Sequence, residues 1–169
     1  HKTELGGVFL NIKSADALRK AMKTMNAKAY LLQKMVPAGV EVIIGGKRDR
    51  EFGPVILFGL GGIFVEVFKD TTIRIAPVDI GTAQEMIDGI KGSALLKGFR
   101  GSKPCDTDSL THVLANVSNL LMDHPEIVSL DINPLIVLEK GKGCVAVDVK
   151  IHAKGLKEKK DKEPKCIQR

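Results

Sequence analysis

Two polar residues in the last third of the chain stand where oxygen-ligand chemistry is possible. Asn133 lies in Asp131-Ile132-Asn133-Pro134-Leu135, and Asp148 lies in Val145-Ala146-Val147-Asp148-Val149-Lys150. If these apolar runs are neighbouring strands of one hairpin, the two side-chain oxygens come together. Magnesium takes a few hard oxygen ligands and keeps the rest of its shell for water and phosphate. Asp148 stands among valines, where an unpaired carboxylate is expensive to bury. Two polar residues beside a turn, bonded to backbone, fit the same spacing, and spacing alone does not choose between these readings.

Three further constellations carry possible chemistry. Gly59-Leu60-Gly61-Gly62 sits between apolar runs, and glycines let backbone amides approach phosphate oxygens closely. The run lacks the Lys-Ser/Thr ending of a P-loop and opens no helix, so a tight strand connection fits it as well. Gln33-Lys34-Met35-Val36 is followed by Glu41. Backbone leaving a strand edge can meet an adenine there, and a carboxylate a few residues on can hold ribose hydroxyls. An apolar strand with an exposed Glu is the alternative. His1-Lys2 precedes Gly6-Gly7. A histidine beside a glycine turn can carry a phosphoryl group or simply face solvent.

The elements that must position these residues alternate short apolar runs with amphipathic ones. Strands are expected at residues 8–12, 29–35, 40–46, 54–58, 63–68 and 71–75, with a turn at Pro37-Ala38-Gly39. In the last of these, Arg74 should point away from the face of Ile73 and Ile75. Ser14 can cap a helix to Met25, with Ala17, Leu18, Ala21, Met22 and Met25 on one face, and Asp79 can cap one through Ile90. A Gly-rich connection leads to a longer helix at residues 108–122. Strands at 128–132 and 135–138 flank Asn133-Pro134, and a turn at 139–143 precedes a last strand at 144–151. Antiparallel hairpins with covering helices read as α+β, not as a doubly wound series.

Length and composition bound the rest. The 169 residues suit one domain with a real core, and 44% hydrophobic with 27% charged residues is ordinary for a soluble globular chain. The net charge of +6 is uneven. Residues 152–169 hold seven Lys/Arg against three Asp/Glu, so this basic stretch alone carries +4 and reads as a solvated, flexible tail. With one Tyr and no Trp, the chain has little with which to stack bases, so no nucleic-acid partner is expected. Cys105, Cys144 and Cys166 match no zinc spacing, and an odd count suggests reduced thiols in a cytoplasm. No apolar run approaches the roughly 20 residues that span a bilayer, and no signal peptide is evident. The chain begins at His1 rather than Met, which suggests the middle of a loop.

Taken together and in order, these segments resemble the ATP-grasp domain of ADP-forming acyl-CoA synthetases. That family includes archaeal acetyl-CoA synthetases and is related to the succinyl-CoA synthetase beta subunit. Residues 32–78, with QKMVPAGVEVIIGGKRDREFGPV and GLGGIFVEVFKD, carry most of the likeness. DINPLIVL and AVDVKI resemble the closing hairpin, and HKTELGGVFLNIKS resembles a glycine-containing loop. The resemblance covers residues 1–151 and implies a partial ATP-grasp domain, its C-terminal lobe. It implies the reaction acyl-CoA + ADP + phosphate ⇌ acid + CoA + ATP, with a phosphoryl group carried on histidine from a CoA-binding subunit or domain. It places Gln33, Met35 and Val36 at the adenine, Glu41 at the ribose, and Gly61 and Gly62 near the phosphate path. Asn133 and Asp148 match magnesium ligands, so Mg2+ and ATP or ADP are the implied cofactors. His1 matches a loop histidine that some archaeal members use as a second phosphohistidine, with Lys2 beside it.

Three departures from the family are visible. Residues 1–169 hold neither the lobe that family members carry before the position of His1, with its phosphate-contacting lysine, nor the CoA-binding domain with the first phosphohistidine, and these residues alone are not expected to catalyse the whole reaction. Ser129 stands where relatives often carry an acidic residue. Two other readings stay open: a regulatory ATP-grasp region of a synthetase-like protein acetyltransferase, and a nucleotide-binding module without turnover.

Overall fold

A computed structural model describes residues 7–62, 70–155 and 165–168. The expected strand at 63–68, and His1 and Lys2, lie outside the described residues. The chain divides into two compact units, residues 1–37 with 157–169, and residues 38–156.

In the first unit, β1 (Val8–Phe9), β2 (Tyr30–Gln33) and β9 (Lys165–Gln168) form a parallel sheet in the order β1-β9-β2. The basic stretch expected to be a flexible tail is not one throughout: Cys166 and Ile167 interrupt its charges, and residues 165–168 form β9, paired with both β1 and β2. The strand expected at 8–12 stops at Phe9, because Asn11 takes a left-handed φ of 58° that ends extended backbone. Helix α1 (Ala15–Met25) is capped by the Ser14 side chain, which accepts from the Ala17 N–H, and ends at Asn26 with φ 43°. Its apolar face, Ala17, Leu18, Ala21, Met22 and Met25, packs on Phe9, Ile12 and Tyr30. The Tyr30 hydroxyl closes the helix end, donating to the Met22 carbonyl at 2.8 Å and accepting from the Ala27 N–H at 3.0 Å.

The second unit holds a six-stranded antiparallel sheet, as expected for α+β. Strands β3 (Val40–Asp49), β4 (Gly53–Leu60), β5 (Thr71–Ile75), β6 (Ile127–Val137) and β7 (Cys144–Ala146) run in the order β5-β4-β3-β6-β7, and β8 (Val149–Ala153) also pairs with β6. Period-two alternation sends Val42, Ile44, Ile56, Phe58, Leu130 and Ile132 to one face. There they meet Met86 and Ile87 of α2 (Ile80–Asp88) and Leu110, Leu114 and Leu121 of α4 (Thr107–Asp123), all fully buried. Burying each such side chain contributes about 1.5–3 kcal/mol. Arg74 does oppose Ile73 and Ile75, but the two isoleucines take the exposed face and Arg74 is half-buried.

Strand β6 differs from its sequence expectation. Instead of two strands flanking Asn133-Pro134 there is one eleven-residue strand with a register shift against β3 between Val42 and Ile44. Pro134 has no N–H to give a ladder, so proline in a central strand belongs at such a bulge. Opposite it, the expected single strand at 144–151 divides into β7 and β8 at Val147-Asp148.

Three carboxylates fix the connections. Asp79 caps α2, accepting from the Thr82 N–H at 2.7 Å. Asp70 accepts from the Lys91 and Gly92 N–H groups, each at 2.7 Å, and so ties the segment after α2 to the start of β5. That segment includes the short helix α3 (Ser93–Leu96). Asp106, only 5% exposed, accepts from Ser109 N–H at 3.1 Å and from Gly143 N–H at 2.8 Å, while its own N–H donates to Leu138 O at 2.8 Å. One side chain therefore caps α4 and holds the β6–β7 turn.

The Gly143 amide first, and then Ser109, hold the Asp106 carboxyl below its ordinary value. A group whose pKa is lowered by folding stabilises the fold above its unfolded pKa of about 3.9 and loses that contribution as pH falls through the folded value. Asp106→Ala is expected to lower stability by about 1–3 kcal/mol. Asp106→Asn should flatten the decline of denaturant stability below about pH 4. Urea titrations across pH check both, and an unchanged acid limb in Asp106→Asn would remove this role.

Candidate functional site

Glu41 is the second residue of β3, and Val42 pairs with Leu60 at the end of β4. That register sets Gly61 directly opposite Glu41, and the Gly61 N–H donates to the Glu41 carbonyl at 2.7 Å. A Cβ on Gly61 would stand 2.9 Å from the Glu41 carbonyl carbon, closer than side chains tolerate. Gly62 has φ +67°, and a Cβ there would lie 3.2 Å from Glu41 Oε2. The glycine pair thus serves close approach and a left-handed turn together. Three residues singled out in the sequence are brought together here. Among the described residues the exposed Glu41 carboxylate has no hydrogen-bond partner.

Beside Glu41 opens a cavity of about 540 Å³, within the usual range for small-molecule sites. One side is the sheet end: Gly39, Val40, Glu41, Leu60 and the glycine pair. The other side comes from the segment between α2 and α4, through Leu95, Phe99 and Ser102. The Cys105 N–H donating to Leu96 O at 2.8 Å, with the Asp70 clamp, holds this second wall in place. In the sequence that segment read only as a Gly-rich connection. The apolar Leu95 and Phe99 among its glycines were the available signal.

Asn133 and Asp148 are also brought together. The Asn133 N–H donates to the Asp148 carbonyl at 3.0 Å, and the Val147 N–H donates to the Pro134 carbonyl at 3.0 Å. Opposed residues on antiparallel strands share a face. Both residues are exposed, so Asp148 escapes the burial its valine neighbours suggested. Asp131 pairs with Lys150 one step along the same strands. Alternation therefore puts Asp131, Asn133, Asp148 and Lys150 on one exposed face, with Lys150 Nζ 3.9 Å from Asp148 Oδ2. The sequence reading named only the middle pair. The spacings Asp131-x-Asn133 and Asp148-x-Lys150 could have found the others.

The donor set bears on which metal would suit. Among the described residues no group of three or more His, Cys, Asp or Glu gathers at one point. A caged transition metal or a many-ligand calcium site needs such a group. One carboxylate and one amide suit a hard ion whose remaining ligands are phosphate and water. At Cys105 and Cys144 the thiolate form is disfavoured as well. Burial, and then the Asp106 carboxylate, push the Cys144 thiol up to about 11. Burial also raises Cys105.

Gln33 closes β2, and Met35 and Val36 follow it, half-buried, in the first unit. His1 and Lys2 lie outside the described residues. Among the described residues no helix is long and apolar enough to cross a membrane.

A nucleotide-sized cavity edged by the Glu41 carboxylate, at one end of an antiparallel sheet carrying an Asn-Asp pair, matches a known class. Residues 1–153 fit the family described as the ATP-grasp domain, and the chain belongs to that family. Its relatives there are ADP-forming acyl-CoA ligases. It is 45% identical over 162 residues to the 4-hydroxybutyrate–CoA ligase [ADP-forming] of Nitrosopumilus maritimus, covering 89% of this chain and 23% of that protein. It is 41% identical over 162 residues to the acetate–CoA ligase [ADP-forming] I subunit beta of Pyrococcus furiosus, covering 89% of this chain and 69% of that subunit. The acetyl-coenzyme A synthetase 1 of Ca. Korarchaeum cryptofilum, solved with coenzyme A and Mg-AMPPCP, superposes with a TM-score of 0.81 at 38% identity, covering 91% of this chain and 71% of that one. The chain thus spans 23% of the length of the first ligase and 69% of the beta subunit.

The Gly61 contact gives a direct expectation. Gly61→Ala forces the new methyl onto Glu41 backbone and should destabilise the protein by about 1–3 kcal/mol. A control, Gly101→Ala, has no neighbour within 4 Å of its Cβ but keeps a strained φ of +86°. Its loss should be smaller, about 1 kcal/mol. Thermal melts compare the two, and equal losses would mean that the Glu41 contact is not tight.

Proposed function

We propose that this chain is the nucleotide-binding part of an ADP-forming acyl-CoA synthetase, which runs acyl-CoA + ADP + phosphate ⇌ acid + CoA + ATP through a phosphohistidine. The observation that carries the proposal is the backbone pairing of Asn133 with Asp148 on an exposed sheet face. It supports a two-ligand magnesium–phosphate site there. Residues 1–151 form the ATP-grasp part, and within the basic residues 152–169 the strand Lys165–Gln168 supports it by pairing with β2, which Gln33 closes. The protein works in the cytoplasm with its thiols reduced.

The division of labour follows from residue chemistry. Transfer of a highly charged phosphoryl group is governed by positioning and charge neutralisation. Asn133 Oδ1 and the Asp148 carboxylate would hold magnesium, which would supply positive charge to neutralise the phosphates. Glu41 accepts hydrogen bonds from ribose hydroxyls. Backbone at Gln33, Met35 and Val36 meets the adenine. Gly61 and Gly62 let backbone approach the phosphate path. His1, with Lys2 beside it, takes the phosphoryl group from a CoA-binding subunit or domain and passes it to ADP, because a neutral imidazole is nucleophilic near pH 7.

Two measurements in the full protein test this. Asp148→Asn should remove the gain in ADP affinity that magnesium confers, read by calorimetry with and without the metal. An undiminished magnesium effect would exclude Asp148. Hydrogen bonds to a charged acceptor are worth about 1.5–3 kcal/mol, so Glu41→Ala should weaken ADP binding about 10- to 100-fold. The loss should be much smaller for deoxyribose nucleotides. Equal losses for both sugars would count against the ribose role.

A further inference from the structure

The cavity beside Glu41 has a second wall, formed by Leu95, Phe99 and Ser102. Between α3 and α4, residues 98–102 fold into a tight turn. The Ser102 N–H donates to Phe99 O at 3.2 Å. The Ser102 hydroxyl donates to the same oxygen at 2.9 Å and accepts from the Phe99 N–H at 2.9 Å. The two central residues, Arg100 and Gly101, have φ of 50° and 86°. Glycine takes such angles freely, but a long-chain L-residue at that first position carries strain of order 1 kcal/mol. Strain of this kind persists where the surrounding structure holds it, and it gathers at ligand clamps.

What the turn holds is Phe99. Its ring lines the cavity yet is 49% exposed, so it is not placed there to fill the core. The Arg100 guanidinium lies 5.3 Å from the ring centroid and braces it from one side. The same cavity contains Glu41, whose carboxylate has no partner among the described residues. A pentose offers two unlike surfaces, a hydroxyl edge and an apolar C–H face. A carboxylate and a pinned aromatic ring on one cavity complement both.

We infer that the 98–102 turn is the apolar grip on the nucleoside half of the bound nucleotide, with Phe99 packing against the sugar whose hydroxyls Glu41 holds. This rests on the nucleotide-binding function proposed above. Phe99 is a binding and specificity residue, and Ser102 is a positioning residue that acts through it. The metal-bound end of the phosphates, at Asn133 and Asp148, lies outside the lining of this cavity, so neither residue bears on it.

The experiment measures binding of ADP, adenosine and magnesium pyrophosphate to the full protein, its Phe99→Ala, Phe99→Leu and Ser102→Ala variants. Phe99→Ala should weaken ADP and adenosine alike, by about 5- to 20-fold, and leave pyrophosphate unchanged. Phe99→Leu should fall between it and wild type, and Ser102→Ala should follow Phe99→Ala more weakly. Because the ring is half exposed, melting temperatures should stay close to wild type. Wild-type affinity for ADP in both Phe99 variants overturns the inference while leaving the nucleotide function intact. An equal loss of pyrophosphate binding also overturns it, by showing general damage. Failure of the wild type to bind ADP would instead remove the nucleotide function, and the inference with it.

Discussion

Pro134 cannot donate a backbone hydrogen bond, and it sits in the middle of a strand with partners on both sides. The sheet accommodates it by shifting register between Val42 and Ile44. On the other side the ladder survives through two bonds, Asn133 N–H to Asp148 O and Val147 N–H to Pro134 O, each 3.0 Å. The outer strand breaks there into β7 and β8. Asn133 and Asp148 are thereby opposed neighbours beside an irregularity, on the face that alternation leaves exposed. Such bulges commonly stand beside binding sites.

The rest of the second unit keeps that hairpin and the cavity edge in place. Asp106 joins the start of α4 to the β6–β7 turn, Asp70 joins β5 to the wall-forming segment, and Ser118, fully buried on α4, accepts from the Val78 N–H at 2.8 Å. Each places a polar side chain where backbone donors would otherwise go unsatisfied. The apolar layer beneath the sheet, from Val42 and Phe58 to Leu114 and Leu121, gives these contacts a rigid base. The described helices of this unit cover one face. The polar quartet Asp131, Asn133, Asp148 and Lys150 occupies the other.

Features governed by near neighbours were legible in the sequence. Ser14 and Asp79 cap helices where their positions indicated. The hairpin carrying Asn133 and Asp148 was visible from its apolar runs, and the family resemblance named both residues. What depends on distant pairing was not visible. Asp106 precedes the expected start of its helix, and its second partner, Gly143, is 37 residues away. Gly61 and Gly62 read either as a strand connection or as a phosphate-approach turn, and only the β3–β4 register reveals that they lie against Glu41. Phe99 read as part of a linker because its cavity is made by strands far from it in sequence. Asn11 ended a strand that apolar alternation had extended.

The central claim is that one exposed hairpin of this lobe, through Asn133 and Asp148, holds the metal on the nucleotide's phosphates. The most direct measurement is an anomalous-scattering map from crystals of the full protein grown with ADP and manganese in place of magnesium. The account predicts a single manganese peak against Asn133 and Asp148, with ADP phosphates on its far side and the ribose toward Glu41. A manganese–ADP complex bound with no contact to either residue would contradict it.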